Sequence, residues 1–120
     1  EFHQPVQAFL QRLQDELDGL VGVVLFGSVA QGEADRASDI DLLVIVGKDQ
    51  TTARRTVQTV VSDIEGQRFE GNRYTFQPLV ESTDSVQRIG DQLRPQFDDG
   101  ITLVGSDQLS ELRTEVYADE

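Results

Sequence analysis

Asp39 and Asp41 stand two residues apart at the mouth of the apolar run Ile40 to Val46. In an extended strand that spacing puts both carboxylates on one side, about 6.5 Å apart along the backbone. At an effective dielectric near 20, two negative charges roughly 6 Å apart repel by on the order of 3 kcal/mol. Two things can offset this. One acid can stay neutral through a raised pKa, or the pair can grip a divalent cation. Hard carboxylate oxygens suit Mg²⁺ or Mn²⁺, which keep several water and phosphate ligands. Such a pair can also bridge two metals about 3.5–4 Å apart. An Asp-x-Asp alone is equally what a solvated strand end looks like, so its neighbours decide.

Those neighbours are Gly27 and Ser28, ten residues upstream, at the end of the run VGVVLF. Gly27 has no side chain, so an anion can come close to the backbone. Ser28 opens a turn whose N–H groups are unpaired, with a hydroxyl beside them, which makes an anion site. Gly32 lets the chain bend back toward the acids. A phosphate cradle and a metal cradle on adjacent strands suit phosphoryl or nucleotidyl transfer from a metal-bound triphosphate. Arg36 lies inside the intervening loop and is the first candidate for a phosphate contact, with Arg73 next. Lys48, Arg54 and Arg55 could do the same but read more simply as solvated charges.

Positioning these residues requires strands ending at one edge of a sheet. Val6, Phe9, Leu10, Leu13 and Leu17 recur at helical spacing after Pro5, and Gly19 closes that run. Val21 to Phe26 reads as a buried strand, Ser28 to Gln31 as a short helical turn, and Ile40 to Val46 as a second buried strand. Thr51 to Arg68 carries Val57, Val60, Val61 and Ile64 on one helical stripe. Arg73 to Glu81 is a third strand, placed at an edge or bulged because Pro78 lacks a ladder donor. Ser82 caps a helix from Thr83 to about Leu93, which Pro95 ends. Ile101 to Gly105 is a fourth strand, and Ser106 or Asp107 caps a last helix. This order predicts an α+β (layered α/β) domain with a mixed β-sheet of about four strands flanked by helices.

At 120 residues the chain reads as one domain spanning 1–120, and the leading Glu1-Phe2 leaves open that it was excised from a longer protein. The absence of cysteine excludes disulfides, thiolate nucleophiles and cysteine-bound zinc. His3, the only histidine, stands at the N-terminus, so histidine triads are disfavoured too. No membrane-spanning run or signal peptide is visible, and a cytoplasmic location is expected. The net charge of −12 repels nucleic acid at long range, so direct nucleic-acid binding is disfavoured. This acid-rich balance resembles the composition of proteins from salt-loving archaea, where concentrated salt shrinks the Debye length to about 3 Å and screens self-repulsion.

Taken together, FGSVAQGEADRASDIDLLV resembles the signature of the DNA polymerase β-like nucleotidyltransferase superfamily, and within it the minimal nucleotidyltransferases of archaea and bacteria. The resemblance implies that Asp39 and Asp41 are catalytic and bind Mg²⁺ (or Mn²⁺), while Gly27 and Ser28 hold the nucleoside triphosphate. The family usually adds a third carboxylate on a later strand. Here the matching position is Gln77, an amide that cannot act as a base, and Glu81 lies about 13 Å further along unless the strand is bulged at Pro78. The expected activity is transfer of a nucleoside monophosphate to a protein or small-molecule acceptor. The alternative is a non-catalytic nucleotide-binding module. Some members of the resembled family are antitoxins acting on a helical toxin, which makes a helical toxin-like protein the expected partner.

Overall fold

The computed structural model describes residues 2–32, 38–47, 49–105 and 107–118. The order is α1 (His3–Glu16), β1 (Leu20–Phe26), α2 (Gly27–Gln31), β2 (Ile40–Val46), α3 (Gln50–Glu65), β3 (Phe76–Ser82), α4 (Thr83–Asp99), β4 (Ile101–Val104) and α5 (Asp107–Ala118). The four strands form one mixed sheet in the order β3-β2-β1-β4. β1 runs antiparallel to β2 and to β4, and β2 runs parallel to β3.

Strand parity divides the core into two layers. Ile40, Leu42, Val44 and Val46 pack with Phe9 and Leu13 of α1 and with Val57, Val60 and Ile64 of α3. Leu43 and Ile45 point the other way, onto Val86, Leu93 and Phe97 of α4 and Leu109 and Leu112 of α5. A period of two on the strands and of three to four on the helices produces this sandwich directly. Asp41 and Asp39 continue the row of Leu43 and Ile45 toward the strand's N-terminal end.

β3 is an edge strand, as Pro78 requires. Its register with β2 is unbroken from Ile40↔Phe76 to Val46↔Ser82, so no bulge forms at Pro78. Ile40 N–H donates to the Thr75 carbonyl at 2.9 Å, so the odd-numbered residues of β3 turn their peptide groups to β2 and the even-numbered ones turn theirs outward. Helix α3 takes up several of the outward groups. Phe76 N–H donates to Glu65 Oε2 at 2.8 Å. The Val80 carbonyl accepts from Gln50 Nε2 at 3.0 Å and from Arg54 Nη2 at 3.4 Å. Pro78 has nothing to donate.

Three sequence expectations need correction. Helix α4 does not stop before Pro95 but runs through it to Asp99, with non-helical backbone at Ile89 instead. Leu93 and Phe97, four residues apart on either side of Pro95, are both buried in the α4–α5 layer. Their burial offsets the lost N–H of the proline. β3 starts at Phe76 rather than Arg73, and α3 ends at Glu65 rather than Arg68. Ser82 does cap α4, its Oγ accepting from Ser85 N–H at 3.1 Å. Among the described residues no helix is long and apolar enough to cross a membrane.

Candidate active site

The two acids sit where β1, β2 and β3 come level. In register, Asp41 stands beside Phe26 on β1 and beside Gln77 on β3. The chain turns immediately after Phe26, with Gly27 at φ +76 opening α2. A Cβ on Gly27 would lie 2.2 Å from Asp41 Oδ2. Only glycine accepts both that φ and that contact. Gly27 and the half-buried Asp41 carboxylate therefore touch, which joins the serine turn to the acid pair. Ser28 follows in the first turn of α2, half-buried.

The acids differ in environment. Asp39 lies just before β2 and is exposed, while Asp41 is half-buried. Desolvation, followed by the charge of Asp39, pushes the Asp41 carboxyl above its ordinary value. Both offsets weighed from the sequence start from this repulsion, which requires the two carboxylates to be near each other. Thr75 Oγ1 donates a hydrogen bond to Asp39 Oδ1. Sequence reasoning missed Thr75. Its parity with Gln77 would have found it only once β3 was known to lie parallel to β2.

Glu81 is not a third member. It is 7 % exposed, stands opposite Ile45 in register, and takes a hydrogen bond from Gln50 Nε2 at 3.4 Å. Arg54 is bound to the Val80 carbonyl at that same distant end. Arg73 is exposed, two residues before Thr75. Arg36 and Lys48 lie outside the described residues. Among the described residues no three His, Cys, Asp or Glu side chains gather as a metal-holding group. Among the described residues the carboxylates brought together here are Asp39 and Asp41, whose oxygens are of the type that suits a hard divalent ion.

A nucleotidyltransferase domain family model matches residues 6–89. No curated protein matches the chain. Solved structures share its fold. A chain of a toxin-antitoxin complex with AMP-PNP superposes with TM-score 0.63 at 21 % identity, covering 94 % of this chain and 84 % of that one. A chain of the Shewanella oneidensis complex between a tri-AMPylated HEPN toxin and MNT antitoxin gives 0.60 at 18 %, covering 99 % and 86 %. Spectinomycin adenyltransferase from Enterococcus faecialis, with ATP and spectinomycin, gives 0.59 at 17 %, covering 88 % of this chain and 49 % of the enzyme.

Proposed function

The chain belongs to the nucleotidyltransferase domain family, and from that premise we propose that it moves a nucleoside monophosphate from a nucleoside triphosphate to a protein or small-molecule acceptor. The observation that carries this reading is the contact of Gly27 with Asp41 beside Asp39, which puts a side-chain-free turn against two like charges. Asp39 and Asp41 would hold Mg²⁺ or Mn²⁺, and Gly27, Ser28 and Arg36 would hold the triphosphate. A bound divalent ion would supply positive charge to the triphosphate and to the leaving pyrophosphate. An acceptor oxygen bonds to the α-phosphorus while the bond to the bridging oxygen of the β-phosphate breaks. Gln77 cannot take the acceptor's proton, which goes to solvent or to a base the acceptor brings.

The structural neighbours drawn from toxin-antitoxin complexes support a helical, toxin-like protein as partner and acceptor. An acidic surface favours assays in concentrated salt, where like-charge repulsion of nucleotides is screened. Incubation with α-labelled ATP, Mg²⁺ and candidate helical partners in such salt is expected to leave label on the partner, and EDTA is expected to prevent it. Tight Mg²⁺–ATP binding with no label on any partner would support a second reading, a nucleotide-binding regulatory module, which Gln77 favours. Absence of both transfer and metal-dependent nucleotide binding overturns the proposal.

Gln77→Glu checks the charge balance. It would set a third carboxylate beside Asp41. The metal-free protein is expected to melt about 4 °C lower, for roughly 1 kcal/mol of added repulsion. Mn²⁺ is expected to bind several-fold more tightly by calorimetry.

A further inference from the structure

Thr75 is exposed, so its side chain is not placed by burial. Its backbone is nevertheless held from two directions. Its carbonyl accepts from Ile40 N–H at 2.9 Å, and the next N–H, on Phe76, donates to Glu65 Oε2 at 2.8 Å. Phe76 is itself pinned, its ring stacked on Phe9 with centroids 5.1 Å apart. From this anchored base the hydroxyl reaches the carboxylate of Asp39. Asp39 is exposed and precedes its strand, so an exposed aspartate would otherwise spread over several rotamers.

Building on the function proposed above, the geometry points to Thr75 as a positioning residue that fixes the Asp39 carboxylate for a divalent cation. Asp41 has a steric counterpart in Gly27; Asp39 has a hydrogen-bonded one in Thr75. With Oδ1 engaged by the hydroxyl, the carboxylate's rotation is restricted, and among the described residues no hydrogen bond engages Oδ2, the oxygen left to ligate. Partners of this kind, which orient a ligating carboxylate, typically matter by about 10–100-fold in metal affinity.

The test compares Thr75→Val and Thr75→Ser with the parent, titrating Mn²⁺ alone and Mn²⁺ with ATP by calorimetry and following thermal unfolding in EDTA. Valine keeps the branched shape that suits this extended position and removes only the hydroxyl. It is expected to melt near the parent in EDTA yet bind Mn²⁺ about 10–100-fold more weakly, while serine restores most of the affinity. Asp39→Asn serves as the reference. If Asp39→Asn loses Mn²⁺ and Thr75→Val does not, the positioning role is overturned and the proposed function stands. If serine fails to restore what valine loses, the hydroxyl is not the cause and the role is equally overturned. If Asp39→Asn binds Mn²⁺ like the parent, the metal reading falls and takes the positioning role with it.

Discussion

Gly27→Ala is expected to lower the melting temperature by about 10 °C and to weaken Mg²⁺–ATP binding by on the order of 100-fold. Two costs combine. At φ +76 an L side chain is strained by about 1–2 kcal/mol. The new methyl would also lie 2.2 Å from Asp41 Oδ2, too close for any real contact. Either the carboxylate swings away or the turn shifts, and each displaces groups proposed above to hold the nucleotide and its metal. Gly19→Ala separates the two costs. Gly19 has φ +77 but nothing within 4 Å of its would-be Cβ, so alanine there brings the strain alone. It is expected to melt only a few degrees lower and to bind Mg²⁺–ATP like the parent. Equal binding losses in both variants would show that backbone strain, not the contact with Asp41, controls the site.

The double change Asp39→Asn/Asp41→Asn is expected to separate stability from function in opposite directions. Mg²⁺–ATP affinity should fall by more than about 100-fold, since both side chains proposed to ligate the ion lose their charge. Melting in EDTA should rise, because the like charges are gone. Asp39 is exposed and Asp41 only half-buried, so their repulsion is partly screened and the gain is about 1 kcal/mol, or about 4 °C for a domain of this size. The pH dependence has a definite sign. Asp41 is raised above its ordinary value of 3.8, so folding favours its protonated form. Its contribution to stability is fully present below that value and is lost as pH rises through the folded-state value. The advantage of Asp41→Asn over the parent in EDTA should therefore be largest at neutral pH and shrink on acidification. Binding that survives the double change would remove Asp39 and Asp41 from the site.

What could be read in the chain was what is local. The run Ile40–Val46 is apolar except for Asp41, and β2 has those same limits. The stripe Val57, Val60, Val61 and Ile64 found its place in the α1–α3 layer. The acid pair and the glycine-serine turn are separated by only ten residues, so their joint meaning survives without knowledge of the fold. Long-range pairing was not legible. The family resemblance had already singled out Gln77, which register sets beside Asp41, but that Thr75 falls beside Asp39 depends on β3 joining β2 in parallel across an intervening helix. No periodicity encodes that register. Pro95 misled for a related reason: a local preference against helix was outweighed by burial of Leu93 and Phe97 in a layer the sequence does not display. Glu81 had the correct parity for the site and the wrong distance along the strand.

The helix-held outer side of β3 has a consequence for how anything reaches the carboxylates. With Phe76 N–H and the Val80 carbonyl occupied by α3 side chains, and Pro78 unable to donate, an extended polypeptide finds no continuous ladder to zip onto at that flank. The chain is protected there against adding a foreign strand, a route to aggregation for crowded proteins. On the function proposed above, an acceptor would not dock on that flank as an added strand.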